Sequence, residues 1–229
     1  MKTLFFDIET IPSQLPGIRE EFAAAVVAPG QFKKPDSIAE WLAANRDAEA
    51  EKAWLNTSFD GGIGQVCVIG FAVDDEPAHA YAVTDLSNDA ERKVIQDFFC
   101  ALTDAGPAQF VGHNVIGFDL PFMWKRAMVL GIKPPWTFPR NPKPWSEAVV
   151  DTMLLWDATQ RAGCSMDRIC RLMGIPGKGD MDGSKVWPYV QAGRIADVAE
   201  YCKQDVQRTR AMHKRMTFTE AEGNRHGTD

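Results

Sequence analysis

An apolar stretch that ends in two acids, LFFDIET at residues 4–10, constrains the fold of this chain more than any other segment. Its β-prone side chains, with almost no polar interruption, predict a buried strand. Residues i and i+2 of a strand point to the same face, so Asp7 and Glu9 are expected to project side by side, with Cα atoms about 6–7 Å apart. Two carboxylates at the edge of a hydrophobic core repel each other, which favours a divalent metal with oxygen ligands between them. The alternative to a metal site is a strand end at the protein surface, where water solvates both acids.

The composition is that of a soluble globular protein. The 229 residues are 45% hydrophobic and 24% charged, which suits one α/β domain with a full core. No window approaches 18 uninterrupted apolar residues, and the N-terminus lacks the pattern of a secretory signal, so neither a membrane span nor export is predicted. Five scattered cysteines without a CxxC pair predict reduced thiols in a cytoplasmic protein.

Charge is distributed unevenly along the chain. The net charge is −6, with a balance of −10 over residues 1–114 and +4 over residues 115–229. A basic surface opposite an acidic metal centre is therefore available for nucleic acid, although ordinary surface charge explains the same numbers.

Hydrophobic periodicity predicts strands and helices of a single domain over residues 1–216. The predicted strands lie near residues 3–8, 65–73, 79–83, 108–112 and 148–151. The predicted helices lie near residues 18–28, 88–103, 119–130, 152–160 and 195–216, with two more capped by Ser37 and Ser165. Residues 12–62 are interpreted as a helical insertion packed on the domain, and residues 217–229 as a flexible tail.

Two further groups of polar residues lie at the ends of predicted elements. Asn114 follows a strand, and Asp119 begins a helix, where capping and the helix dipole favour an acid for structural reasons alone. Tyr201 and Asp205 are four residues apart on the last helix and therefore share a face. Each pair is commonplace when it is considered by itself.

The acids Asp7, Glu9, Asp119 and Asp205 belong to three elements that could converge. Such a set could hold two divalent ions about 3.5–4 Å apart and cleave phosphodiesters by in-line attack. In that chemistry one ion activates water, and both ions stabilise charge on the scissile phosphate.

The same segments resemble the three motifs of the DEDD superfamily of 3′–5′ exonucleases. Residues 7–9 match the first motif, DxE, and residues 114–119 match the second, Nx3[FY]D. Residues 201–205 match the tyrosine version of the third motif, Yx3D, since the histidine version needs His at the position of Glu200. Residues 172–205 are especially similar to stand-alone polymerase-B-type exonucleases of bacteria and phages, and the resemblance covers nearly the whole chain.

This resemblance implies a ribonuclease H-like fold, in which helices flank a mixed five-stranded sheet, and two Mg²⁺ or Mn²⁺ ions. It implies that Asp7, Glu9 and Asp205 hold one metal. Asp7 would bridge to a second metal, which Asp119 would bind directly or through water. Tyr201 would orient the attacking water.

The resemblance further implies substrate contacts by Thr10, Asn114 and Phe118. Asn114 is expected behind the metal ligands or near the 3′-terminal sugar, and Phe118 is expected to pack more than to stack. Asp151 lies near the expected site, but no motif assigns it to a metal.

The implied activity is 3′–5′ exonucleolytic hydrolysis, preferentially at 3′ ends of single-stranded DNA. RNA is an alternative substrate, because few 2′-OH contacts discriminate between the two. An inactive nucleic-acid-binding module of the same fold is the alternative to an enzyme. A phosphatase of the Asp-x-Asp-Gly-Thr kind is disfavoured, because Glu9 and Ile11 break that pattern. The sequence leaves open a replication or repair partner and the oligomeric state.

Overall fold

The computed structural model describes residues 2–143, 145–158, 163–177, 179 and 181–219. Within these ranges the strands are β1 (Lys2–Ile11), β2 (Gln65–Val73), β3 (His79–Ala82), β4 (Ala108–Gly112) and β5 (Val149–Asp151). The α-helices are α1 (Ile18–Ala25), α2 (Pro35–Leu55), α3 (Asn88–Ala105), α4 (Asp119–Leu130), α5 (Thr152–Asp157), α6 (Met166–Met173), α7 (Val186–Gln191) and α8 (Ile195–Met216). Short 3-10 turns lie at Asn56–Phe59 and Gly183–Lys185.

The strands form one mixed sheet in the order β3-β2-β1-β4-β5. The central strand β1 pairs antiparallel with β2 and parallel with β4. At the edges, β3 pairs antiparallel with β2, and β5 pairs parallel with β4. The predicted mixed five-stranded sheet with flanking helices is confirmed, and α1 and α2 lie between the first two strands as expected.

Alternation along β1 divides its side chains between two layers of helices. On one face of the sheet, Phe6 stacks on Phe98 of α3 with 5.1 Å between ring centroids. On the other face, Phe5 packs against α8. Asp7 and Glu9 share the face of Phe5, so their side chains point towards α8.

Trp54 of α2 packs the helices between β1 and β2 against the rest of the fold. Its indole N–H donates to Ser13 O at 2.8 Å, and its ring meets Trp187 of α7 edge-on at 5.4 Å. The Arg19 guanidinium lies 3.6 Å from the ring centroid. Trp54 is only 2% exposed, so this tryptophan is a core anchor.

Some element boundaries differ from the prediction. The predicted cap at Ser37 is wrong, because α2 begins at Pro35 without a side-chain capping bond. Proline suits the first helical position, since its φ is already set for a helix. Ser165 caps α6 as predicted, through a bond from Arg168 N at 3.4 Å. Residues 159–160 of a predicted helix and 220–229 of the predicted tail lie outside the described residues.

Among the described residues, no helix combines the length and the apolar content that are needed to cross a bilayer.

Candidate active site

The carboxyl-terminal half of β1 places two acids under α8. Glu9 is 8% exposed, and Asp7 is partly buried. One carboxylate oxygen from each acid and the Cys202 sulfur of α8 lie within 4.8 Å of one another. The Cys202 thiol donates to Asp7 Oδ2 at 3.4 Å. A register shift of the β1–β2 ladder follows directly, between Glu9 and Thr10, which is where bulges re-aim side chains beside sites.

A glycine in β2 allows α8 to reach these acids. Gly70 pairs with Asp7 across the β1–β2 ladder. A Cβ at this position would lie 2.7 Å from Cys202 Sγ, closer than the two atoms can approach, and 3.1 Å from Val206 Cγ2. The absence of a side chain therefore lets α8, the helix that contains Asp205, lie directly on the sheet beside the β1 acids.

The first residue of α4 contributes another acid to this pocket. Asp119 is 3% exposed, and its Oδ1 accepts a hydrogen bond from Ile8 N at 3.1 Å. The N-cap of α4 is Phe118, which makes no side-chain capping bond. Asp119 thus ties the start of α4 to the β1 backbone between the two β1 acids, a contact that helix capping alone does not explain.

The acids affect one another's protonation. Burial, followed by the charges of Glu9, Asp119 and Asp205, holds the pKa of Asp7 well above its ordinary value. Burial raises the pKa of Asp119 to about 7, despite hydrogen bonds from backbone amides. The four carboxylates therefore share one electrostatic environment. A divalent cation would relieve their repulsion and accept their hard oxygen ligands, so this donor set fits such an ion.

Tyr201 and Asp205 lie one turn apart on α8, and both are buried. Their side chains share a hydrogen bond, and burial, followed by the charge of Asp205, raises the pKa of Tyr201 above its usual range. Asp205 also forms an ion pair with Arg208, whose Nη1 lies 2.5 Å from Oδ1. Arg208 is 7% exposed and donates from Nη2 to Gly177 O at 3.1 Å. This guanidinium balances part of the negative charge of the pocket.

Comparison with known protein families agrees with this geometry. Residues 60–227 match a family described as predicted 3′–5′ exonucleases related to the exonuclease domain of PolB. The chain belongs to this family. The matched range includes Asp119, Tyr201 and Asp205, whereas Asp7 and Glu9 precede it.

The fold of this family member is similar to that of a solved structure over nearly its whole length. The family B DNA polymerase from the hyperthermophilic archaeon Pyrobaculum calidifontis aligns over 95% of the chain, with a TM-score of 0.63 and 19% sequence identity. The chain spans about a quarter of that polymerase, since the alignment covers 24% of it. At this identity the likeness establishes the fold alone. A search of curated protein sequences found no match.

Asp151 holds the turn that contains Asn114. The backbone of Asn114 has a φ of 60°, and its N–H donates to Asp151 Oδ1 at 2.9 Å. The other oxygen of Asp151 accepts from Ile116 N at 3.1 Å, and Oδ1 also accepts from Met153 N at the start of α5. A Cβ on Gly117 would lie 2.5 Å from Asn114 Oδ1, so glycine leaves room for that side chain. Asp151 thus orders the segment that leads into α4.

Two other residues predicted to bind substrate are adjacent in sequence to acids of this site. Thr10 directly follows the β1 acids, and its hydroxyl donates to Ser58 O at 2.7 Å. Phe118 directly precedes α4, is partly buried and packs on Phe122 with 5.5 Å between ring centroids. Contact of Thr10, Asn114 and Phe118 with substrate stays a prediction.

The structure adds contributors that the sequence motifs do not include: Gly70, Asp151, Cys202 and Arg208. A lone glycine in an apolar strand is a usable signal of close backbone approach, as at Gly70. The spacing of Arg208 three residues after Asp205 is a usable signal of an ion pair on one helix. Asp151 and Cys202 carry no such signal, because their contacts join elements that are distant in sequence.

Proposed function

We propose that this chain is a 3′–5′ exonuclease that uses two Mg²⁺ or Mn²⁺ ions to hydrolyse phosphodiester bonds at the 3′ ends of single-stranded DNA. One observation supports the proposal most: the Asp7 and Glu9 carboxylates of β1 meet under α8, and Asp7 also interacts electrostatically with Asp119 of α4 and Asp205 of α8. Membership of the family supports the reaction and its direction.

Asp7, Glu9, Asp119 and Asp205 would hold the ions, which when bound would neutralise charge on the scissile phosphate and make an attacking water more acidic. The residues around these acids orient them in advance. The Asp119 bond to Ile8 N and the Cys202 bond to Asp7 set the directions of two carboxylates, which lowers the reorganisation that the reaction requires.

Tyr201 would orient water rather than accept its proton. A phenol has a pKa of about 10 in water, and the surroundings of Tyr201 raise its pKa further. Its hydroxyl therefore stays protonated near neutral pH. In this state it donates to Asp205 and holds its oxygen beside the position where a water would attack.

The test is digestion of single-stranded DNA labelled at its 5′ end, with Mg²⁺ or Mn²⁺ and with or without a chelator. We expect a ladder that shortens from the 3′ end and disappears with the chelator. Asp7→Asn and Asp205→Asn should each slow nucleotide release by about 1,000-fold or more, because each removes charge at the metal site. Asp197→Asn is the matched control, since Asp197 is an exposed acid of the same helix paired with Arg194.

Three results would count against parts of the proposal. Full activity of Asp205→Asn would contradict the metal-ligand assignment. Oligonucleotide that is bound but uncut with Mn²⁺ would indicate an inactive binding module. Faster digestion of an RNA strand of the same sequence would replace the DNA assignment with an exoribonuclease.

A further inference from the structure

An exposed aromatic ring that no motif includes lies on a turn that is hydrogen-bonded to the residue after the β1 acids. Phe59 is 72% exposed at the end of the Asn56–Phe59 turn. The residue before it, Ser58, accepts the Thr10 hydroxyl bond through its carbonyl oxygen at 2.7 Å. Because Thr10 directly follows Glu9, this turn is bonded to the strand segment that contains the β1 acids.

The backbone on the N-terminal side of Phe59 is held in place. Thr57 Oγ1 accepts from Ser13 N at 2.8 Å and donates to Trp54 O at 2.6 Å. Thr57 is 4% exposed, and Trp54 is the anchor of the insertion. The exposed ring therefore stands on a buried and hydrogen-bonded turn.

The backbone on the C-terminal side of Phe59 is held as well. Asp60 pairs with Lys125 of α4 at 2.7 Å. Gly61 lies so close to α4 that a Cβ there would be 2.7 Å from Phe122 O. A ring on a backbone fixed on both sides loses little conformational freedom when it contacts a ligand, which favours binding.

The Phe59 ring has a second aromatic ring as its neighbour. It lies 6.4 Å from the ring of Phe118, at an interplanar angle of 62°. Phe118 in turn packs on the buried Phe122. One residue after Phe118 is Asp119, so the two rings stand beside the segments that contain Glu9 and Asp119. Phe59 presents the more exposed of the two rings.

We propose that Phe59, supported by Phe118, is a stacking subsite for the 3′-terminal base of the strand whose end enters the acidic pocket. This inference rests on the proposed exonuclease function. An aromatic face stacks on every base, so the subsite would bind single strands with little sequence preference. It assigns a substrate-binding residue to the segment between β1 and β2, outside the three exonuclease motifs.

The test measures binding separately from cleavage. Asp205→Asn provides a background in which digestion should be about 1,000-fold slower, so that binding can be measured before cleavage. Fluorescence anisotropy reports the affinity of this background for 5′-labelled oligonucleotides. One oligonucleotide ends in a normal nucleotide, and a second ends in an abasic residue. We expect Phe59→Ala to weaken binding of the normal end by about five- to 20-fold and to leave the abasic end nearly unchanged. Phe59→Trp should keep the preference for the normal end.

Phe218→Ala is the matched control. Phe218 is 87% exposed and lies just after the C-terminus of α8. This end of α8 lies near Thr3 and Phe5 of β1, away from Asp7 and Glu9. This variant should bind both oligonucleotides like its parent. Thermal unfolding of Phe59→Ala should match that of the parent, which separates a lost contact from a disturbed fold.

Equal weakening for normal and abasic ends, or no weakening for either, would overturn the stacking subsite. In those cases an active wild-type protein would leave the exonuclease proposal intact. If the wild type released no nucleotides, the exonuclease proposal would fail, and the anisotropy comparison would still decide whether Phe59 recognises a terminal base.

Discussion

At the scale of single residues, Asp119 combines a structural bond with an electrostatic cost. Its carboxylate accepts a hydrogen bond from Ile8 N and joins α4 to β1. The same carboxylate is buried beside other acids, and its pKa is raised to about 7. Without a cation, the ionised form of Asp119 therefore opposes folding, as expected for a site that binds metal.

Replacing Asp119 should stabilise the chelated protein at alkaline pH. An unfolded aspartate has a pKa of about 3.9, so between about pH 4 and pH 7 the folded state binds more protons than the unfolded state. The free energy of unfolding therefore falls as pH rises through this window. Asp119→Asn keeps the oxygen that accepts from Ile8 N and should raise the free energy of unfolding at pH 8 by about 1–3 kcal/mol.

Urea unfolding of chelated protein at pH 4.5 and pH 8 measures this effect. The gain of Asp119→Asn should be small at the lower pH and full at the higher pH. Asp197→Asn, which changes an exposed acid, should show no such difference. A variant that is less stable than wild type at pH 8 would contradict the proposed cost of the buried charge.

Removal of the Tyr201 hydroxyl should slow the proposed reaction without unfolding the protein. Tyr201→Phe keeps the buried ring and removes the group that bonds to Asp205, while Asp205 keeps its pair with Arg208. We expect a 10- to 100-fold lower rate of nucleotide release, roughly the size of an orienting effect, with an unchanged metal requirement. Single-turnover digestion measures the rate, and a rate equal to that of wild type would mean that Tyr201 only packs.

At the scale of elements, the contact between α8 and β2 determines whether the site forms. Asp7 faces α8 through the alternation of β1, and Gly70 pairs with Asp7 on the neighbouring strand. The close approach at Gly70 brings Cys202 onto the sheet, on the same helix as Asp205. If a side chain at position 70 moved α8 away from the sheet, Asp205 would move away from Asp7 and Glu9.

A methyl group at position 70 should therefore disturb both stability and activity. Gly70→Ala would place a Cβ 2.7 Å from Cys202 Sγ, and relief requires movement of α8. We expect a loss of about 1–3 kcal/mol in the free energy of unfolding, typical of overpacking, together with slower nucleotide release.

Two comparisons make the Gly70 result specific. Gly30→Ala is the control, because nothing lies within 4 Å of a Cβ at that position. The double variant Gly70→Ala/Cys202→Ala should be more stable than the two separate losses predict, since the smaller side chain removes the clash. Simple additivity in denaturant unfolding would show that the close contact is not the cause.

At the scale of the whole molecule, the site joins segments that are far apart in the chain. Asp7 and Asp205 are separated by nearly the full length of the sequence, and Asp119 lies between them. The pocket lies at the carboxyl-terminal end of β1, where β1 and β4 separate beyond the Phe5–Val111 pair. A cation bound there would link β1, α4 and α8, so metal binding is expected to stabilise the fold globally.

Divalent ions should raise the thermal unfolding midpoint of the wild-type protein. At 100 times the dissociation constant, binding to the folded state contributes about 2.7 kcal/mol. For a chain of this size, that corresponds to an increase of about 5–10 °C. Differential scanning fluorimetry with Mn²⁺ should show this increase for wild type and for Asp197→Asn. Asp7→Asn should reduce it strongly, and an equal increase for Asp7→Asn would place the stabilising ion elsewhere.

Local pattern in the sequence by itself determined the strands, most helix bounds and the pairs Asp7/Glu9 and Tyr201/Asp205. These features depend on backbone geometry over a few residues, where a period of 2 or of 3.6 sets which side chains share a face. The prediction that Ser37 caps a helix was wrong, because Pro35 and Ser37 are both typical of helix starts and the helix begins at Pro35.

The tertiary structure alone decided which of these faces meet. It placed Asp119 on Ile8 N, the Cys202 thiol on Asp7, and Asp151 under the turn at Asn114. No periodicity encodes such contacts, because the distance between residues about 40 to 200 positions apart is set by how helices pack on the sheet. Space at one glycine is part of that packing, because it lets the last helix lie directly on the strand next to the one that contains Asp7 and Glu9.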